Sequence, residues 1–251
     1  MEAKISKKRG TSTKKRNLLP FKNNREFSLQ CAKKRLSGSR FRTLNERLYT
    51  SHSRDNYSYY QRNPTLFKIY HEGYREQVEK WPIDPLNKIL VWLEGIEDDQ
   101  VIGDFGCGEA RIAQTFINRK VHSFDLIAGN SFITSCNISK VPLDDNSLDI
   151  CLFCLSLMGK DWPLFIREAT RCLKVGGILK IVEVSSRFTD INKFNDFFNL
   201  IGYNNEEEME HDENDIFTFF QFRLQTKQKT IPGDIYSKIS DVLLPCLYKR
   251  R

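Results

Sequence analysis

The segment VIGDFGCGEARIAQTF, residues 101–116, holds the residue types most able to do chemistry. It reads as a strand, a tight glycine turn and a helix, and Gly106 and Gly108 would let backbone N–H groups approach a ligand where a side chain would clash. A dinucleotide fingerprint needs a third glycine three residues on. Arg111 stands there instead, which disfavours a pyrophosphate pressed on the helix N-terminus. A turn of this kind also serves plain structure. Asp125 closes the next apolar run, VHSFD, 19 residues after Gly106. A carboxylate at that place can accept hydrogen bonds from both hydroxyls of a ribose, or stand in a solvated loop. Asn137 and Ile138, in SCNISKVPLDDNSLD, offer an amide to edge a purine and an apolar face to cover it, or an ordinary turn. Arg111 is a cation in the first turn of a helix, where the dipole disfavours it. It faces an anion, a ligand carboxylate or a phosphate, or else lies on the surface.

Other constellations point away from chemistry. Cys151 and Cys154 have the CxxC spacing of zinc ligands, but on a strand they fall on opposite faces and no second pair exists, so no metal site is expected. His52, His71, His122 and His211 pair with no cysteine or serine in a nucleophile arrangement. Of the four, His71 beside Gly73 sits where the first helices could reach a cleft. The acidic run EEEMEHDEND, residues 206–215, reads as a solvated turn between two edge strands.

These residues must be held by elements the apolar pattern predicts. Phe41, Leu44 and Leu48 in FRTLNERLY predict a short amphipathic helix near residues 41–49. Leu66, Phe67, Tyr70, Tyr74 and Val78 predict a helix from Pro64 up to the breaker Trp81-Pro82, and a second helix spans Leu86 to Leu93. Strand-like runs follow at Val101–Phe105, Val121–Leu126, Leu148–Leu155, Ile178–Val184 and Ile216–Leu224, alternating with amphipathic segments. Such alternation predicts an α/β sheet with helices on both faces. LKVGG, residues 173–177, reads as a helix-stop turn before a strand.

Charge divides the chain. Residues 1–54 carry 16 Lys/Arg against 3 Asp/Glu, and residues 55–251 carry 23 against 29, for a net +7 overall. Residues 1–54 are therefore read as a basic arm suited to an anionic polymer, or as a solubilising or targeting tail, and residues 55–251 as the catalytic body. Residues 1–28 are expected to be disordered, with KKR clusters at Lys7–Arg9 and Lys14–Arg16 that resemble nuclear-import signals. There is no apolar run of membrane-spanning length and no secretory signal, so a soluble, intracellular protein without membrane partners is expected. Seven scattered cysteines suit reduced thiols rather than a disulfide framework.

The form D-x-G-x-G, with Asp104 before the glycines, resembles the first motif of class I S-adenosylmethionine methyltransferases, and LKVGG looks like the turn before their fifth strand. Missing is the Asp/Asn-Pro-Pro-Tyr/Phe motif with which amino-directed adenine or cytosine methyltransferases end the strand here occupied by LDICLFCLSLMG. RFRTLNERLY, YHEGYREQVEKWP, DFGCGEARIA, VHSFDL, FCLSLMG, GGILKIVEVSSRF and PCLYKRR together resemble the ribosomal RNA-processing protein 8 (nucleomethylin) family, from about Phe41 to Arg251. The resemblance implies a Rossmann-like, seven-stranded mixed sheet with helices on both faces, preceded by a basic N-terminal arm. It implies cofactor contacts at His71, Gly106, Asp125, Asn137, Ile138 and Cys154, with S-adenosyl-L-methionine as cofactor and S-adenosyl-L-homocysteine as product. Where the family pattern has Asp, this chain has Asn137. An amide oxygen still accepts from an adenine amino group but lacks charge, so the departure bears on cofactor affinity rather than on activity.

The implied activity is methylation of N1 of an adenosine in large-subunit ribosomal RNA during ribosome biogenesis, in the nucleus and nucleolus, on free RNA or pre-ribosomal particles. N1 carries an in-plane lone pair at neutral pH, so alignment suffices and no general base is needed, and no catalytic residue can be read from the sequence. N1 is a Watson–Crick atom, so the base must be unpaired or extruded to react. Two alternatives stand beside this one: a protein methyltransferase, and a nucleolar silencing or scaffold protein that binds the cofactor and has chromatin partners.

Overall fold

A computed structural model describes residues 22–206, 210–211, 216–228 and 235–248. By contacts the chain divides into Met1–Leu36 and Ser37–Arg251. Residues 1–21, with both KKR clusters, lie outside the described residues, as does most of the acidic run after Glu206.

The first helices are α1 (Lys22–Thr50), α2 (Ser53–Arg62), α3 (Pro64–Val78) and α4 (Pro85–Glu94). Helix α1 is much longer than the expected helix at 41–49 and includes residues 22–28, which were expected to be disordered. No glycine or proline interrupts it before Gly38, and its Lys, Arg, Leu and Ala residues favour helix, whereas apolar periodicity marks only the part that is packed. Phe41, Leu44 and Leu48 are that part: all are buried, in a cluster with Tyr60, Phe67 and Tyr70 of α2 and α3. These residues fall within the compact unit Ser37–Arg251. Pro64 and Pro85 open their helices, where a missing N–H costs nothing, and Asp84 caps α4 through the Leu86 N–H at 3.1 Å.

The sheet contains β1 (Ile102–Phe105), β2 (Val121–Asp125), β3 (Ile133–Ser135), β4 (Leu148–Cys154), β5 (Leu173–Val184), β6 (Tyr203–Asn205), β7 (Glu210–His211) and β8 (Phe217–Leu224). Its order is β3-β2-β1-β4-β5-β8-β6, with the two-residue β7 also on β8. Pairings from β3 through β5 are parallel, and β8 runs antiparallel to β5 and β6. Seven strands in this order, with one reversed, are the mixed sheet of class I methyltransferases. Strands β3, β6 and β7 were not marked in the sequence because two or three residues carry too little periodicity.

Period-two alternation assigns the faces. Cys151 and Phe153 of β4, with Phe220 and Phe222 of β8, join Trp162, Phe165 and Ile166 of α6 (Trp162–Cys172) and Phe194 and Phe198 of α7 (Ile191–Leu200). Ile150, Leu152, Phe217 and Phe219 face the other way, against Ile89 and Leu93 of α4 and Ile112 of α5 (Arg111–Thr115). LKVGG is corrected by the structure: α6 ends at Cys172 and β5 starts at once, Leu173 pairing with Leu148. The register then shifts before Ile150, and Gly176 takes φ +85° there, so its glycine serves a bulge rather than a helix cap.

Candidate active site

In an open α/β sheet the crevice forms where strand order reverses, beyond the carboxyl ends of the strands. That point here lies between β1 and β4. A cavity of about 370 Å³ occupies it, lined by residues from α1–α3, the glycine turn and the ends of β2 and β4. His71, Gly106, Asp125, Asn137, Ile138 and Cys154 all line this one cavity.

The glycine turn is built for close approach. Gly106 has φ +79° and Gly108 φ +60°, and a Cβ on Gly106 would come within 2.4 Å of the Ser156 Cβ. The turn is tied down from below: Gly106 and Cys107 both donate to the Phe124 carbonyl, and Ser156 Oγ donates to the Phe105 carbonyl at 2.5 Å. Asp125 reaches across from β2, its two oxygens taking the N–H groups of Gly108 and Leu126, each at 2.7 Å. A carboxylate offers about four acceptor positions, so both oxygens keep capacity toward the cavity.

Asp104, at the end of β1, is equally buried and no cation stands beside either carboxylate among the described residues. Burial pushes Asp104 up to about 7, with Asp125 adding to the rise. Burial pushes Asp125 up to about 6, against the opposing pull of the Leu126 and Gly108 N–H groups. His71, from α3, lies over Gly108, where an added Cβ would sit 3.8 Å from its Cε1. Burial, with Arg75 nearby, pulls its pKa down to about 4, so the ring is neutral at physiological pH. Its Nε2 is buried without a hydrogen-bond partner, a polar atom left for something the cavity receives.

Asn137 lines the same cavity. Its Oδ1 accepts the Ser139 N–H at 3.0 Å and its Nδ2 donates to Ser53 Oγ at 3.1 Å. Ile138, Phe165 and Met158 supply apolar surface nearby. Cys154 lines the cavity while Cys151 is buried in the core, so the CxxC pair is split between two environments. Arg111 also lines the cavity. It pairs with Asp84 at 2.5 Å and donates to Asn87 Oδ1 at 2.8 Å, joining α5 to α4.

Sequence reasoning missed the residues that hold the loop after β4. Leu155 takes φ +56°, a strained conformation for leucine, directly at the cavity. Leu157, two residues on, is held at both backbone groups: its N–H donates to Glu183 Oε1 at 3.0 Å and its carbonyl accepts from Arg187 at 2.8 Å. Glu183 and Arg187 form an ion pair at 2.5 Å, with side chains 0% and 2% exposed. Arg187 also donates to the Leu244 carbonyl, tying the C-terminal segment to the same point. The i,i+4 spacing was visible in EVSSR, but nothing in the sequence said that the pair would be buried.

Comparison with known proteins places this geometry among methyltransferases. Residues 28–251 match a family described as a hypothetical methyltransferase. The chain is 44% identical over 222 residues to ribosomal RNA-processing protein 8 of Caenorhabditis elegans, covering 88% of this chain and 62% of that protein. It is 39% identical to the 25S rRNA (adenine(645)-N(1))-methyltransferase of Schizosaccharomyces pombe, over all of this chain and 81% of that protein. The chain spans about six-tenths of the length of the first curated relatives it matches. Among solved structures, Burkholderia thailandensis 1,6-didemethyltoxoflavin-N1-methyltransferase, bound to S-adenosylhomocysteine, shares the fold. Its TM-score is 0.53 at 15% identity, over 68% of this chain and 90% of that one.

Proposed function

The chain belongs to the ribosomal RNA-processing protein 8 family of methyltransferases, and from that premise we propose that it is an S-adenosylmethionine-dependent methyltransferase acting on N1 of an adenosine in large-subunit ribosomal RNA. The observation that carries the reading is the convergence of two buried carboxylates without a cation, an unpartnered imidazole nitrogen and a glycine turn in one cavity at the strand switch point. A cationic nucleoside with ribose hydroxyls fits that donor and acceptor set. Asp125 would take the ribose hydroxyls, Asn137 and Ile138 the edge and face of the adenine, and His71, Gly106 and Cys154 would close around the rest.

When bound, the cofactor supplies a methyl group already activated on a positively charged sulfur. The protein's task is then alignment. Adenine N1 needs no proton removed before it reacts, and no residue need act as general base. The strained Leu155 and the pinned Leu157 fix the wall against which an extruded base would lie. The rRNA substrate of the Schizosaccharomyces pombe relative supports ribosomal RNA or pre-ribosomal particles as partner, and hence the nucleus and nucleolus as the place of action.

Transfer of a labelled methyl group to large-subunit RNA, digestion to nucleosides and mass spectrometry test the reading. The expected product is 1-methyladenosine; 6-methyladenosine, a methylated pyrimidine or label in protein alone would refute it. The basic segment 1–54 is proposed to add phosphate contacts without sequence information. Deleting residues 1–36, which leaves the contact-defined body whole, should weaken RNA binding and flatten the dependence of log affinity on log salt. Each lost phosphate contact lowers that slope by roughly 0.7 to 0.9, while cofactor affinity stays unchanged. An unaltered slope would assign the segment to targeting.

A further inference from the structure

Asp161 begins α6, a position where aspartate ordinarily turns its carboxylate onto the N–H groups of its own helix. It makes no such bond. Its carboxylate instead accepts the backbone N–H of Ser53 at 2.8 Å and the Ser53 hydroxyl at 2.6 Å, at the start of α2. A serine hydroxyl has one proton. With that proton committed to Asp161, Ser53 Oγ can meet its other neighbour only as an acceptor, and that neighbour is Asn137 Nδ2 at 3.1 Å.

The orientation of the Asn137 amide is fixed independently. Its oxygen receives the Ser139 N–H at 3.0 Å, so its nitrogen must face Ser53. Ser53 is buried, and both it and Asn137 line the cavity. Three residues, 84 and 108 positions apart in sequence from Ser53, thus form a one-way chain of donors, Asn137 to Ser53 to Asp161.

We infer that Ser53 and Asp161 are positioning residues for the nucleoside end of the cavity, and that they make this protein require an amide, not a carboxylate, at position 137. The inference rests on the cofactor reading given above. The chain locks the amide so that Oδ1, with one lone pair on Ser139, holds the other in a fixed direction for an amino donor. A carboxylate is the stronger acceptor for such a donor. On that ground alone Asn137→Asp should bind the cofactor more tightly. The donor chain demands the opposite sign, because a carboxylate at 137 would set an acceptor against an acceptor, with a second carboxylate on the far side of the same serine.

Calorimetry of S-adenosylhomocysteine binding to the full chain decides between the two signs, with thermal melts of each variant. Asn137→Asp is expected to lose about tenfold or more in affinity. The charge-conserving double variant Asn137→Asp/Asp161→Asn is expected to recover to within about threefold of the starting protein. There the amide introduced at 161 donates to Ser53, and Ser53 donates to the carboxylate at 137, so the chain runs in reverse with every partner satisfied. Binding by Asn137→Asp as tight as the starting protein's, or a double variant no better than Asn137→Asp, overturns the inference. If Asn137→Asp alone does not melt cooperatively, the double variant decides: cooperative melting with binding supports the chain, and its absence overturns it. Failure of the unaltered protein to bind S-adenosylhomocysteine would overturn the cofactor reading itself, a result none of the variants can mimic.

Discussion

Three acidic side chains sit at or beside the carboxyl ends of sheet strands, and the protein treats them in two ways. Asp104 on β1 and Asp125 on β2 are buried with no cation beside them among the described residues, and burial lifts both well above the usual carboxylate range. Glu183 on β5 is more deeply buried still, yet Arg187 lies 2.5 Å away and the pair grips the Leu157 peptide from both sides. A cation is supplied where the acid is sealed inside the fold and withheld where the cavity opens. Desolvation of a carboxylate is costly in either place. At Glu183 the compensation is internal and permanent, whereas Asp125 has only the Gly108 and Leu126 N–H groups, and under the proposed function a bound ligand would offset both it and Asp104.

Removing the internal compensation should have the largest effect. Arg187→Met leaves Glu183 charged and alone in the core, and should cost about 3–5 kcal/mol of unfolding free energy by urea denaturation. Replacing both partners, Glu183→Leu with Arg187→Met, should recover only part of that loss, because no buried charge is left alone but the Leu157 N–H and the Leu157 and Leu244 carbonyls lose their partners. A cost below about 1 kcal/mol for the single change would mean that solvent reaches the pair, and the contrast with Asp125 would disappear.

At the open end the loss should appear in binding instead. Asp125→Ala should reduce S-adenosylhomocysteine affinity by on the order of 2 to 4 kcal/mol, the loss of two charge-assisted contacts. Unfolding free energy should fall little, since the substitution also removes a desolvated carboxylate. Unchanged affinity in a folded Asp125→Ala protein would remove the ribose assignment.

How far this contrast could be read from the sequence depends on chain distance. Gly106, Gly108 and Asp125 were legible because a strand, a turn and the next strand fix them within about twenty residues by local geometry. The helix at Pro64 and the five long strands were legible from periodicity, and the two-residue and three-residue strands were not. Asp84, which holds Arg111, and Asp161, which holds Ser53, sit as ordinary helix-start residues in the sequence. Their partners are 27 and 108 residues away, and no local pattern could select them. Arg187 carried no reading of its own in the sequence beyond its place in the motif GGILKIVEVSSRF. What makes it the counter-charge of the core is the convergence of β5, the loop after β4 and the C-terminal segment, which only tertiary structure supplies.

The pH response should sharpen the contrast further. Asp104 and Asp125 have folded pKa values of about 7 and about 6, above their value of about 4 in an unfolded chain. Between pH 4 and 7 the folded protein then binds more protons than the unfolded one, so these two groups make stability fall as pH rises through that window. Asp104→Asn should flatten the fall, read as urea midpoints at half-unit pH steps. Over the same window affinity for a cationic ligand should rise, because the ligand favours the ionised carboxylates. A flat profile in the unaltered protein would mean that the two acids are hydrated after all.

The smallest expected effect tests whether burial, rather than pairing as such, separates the two regions. Arg75 of α3 and Glu109 beside the glycine turn form an ion pair at the cavity rim, with side chains 48% and 50% exposed. Unlike Glu183 and Arg187, which are four residues apart, it joins two segments remote in sequence, but like them it is an acid and an arginine in contact. Water screens it, and holding two long side chains in register costs entropy, so such pairs contribute well under about 1 kcal/mol. Glu109→Ala should therefore shift the urea midpoint only slightly, and raising salt should erase even that difference, whereas salt should leave the cost of Arg187→Met unchanged. If Glu109→Ala instead costs as much as Arg187→Met, the grip of the ion pair on Leu157 would owe nothing to its burial. The distinction between an acid compensated inside the fold and one left for a ligand would then have to rest on Asp104 and Asp125 alone.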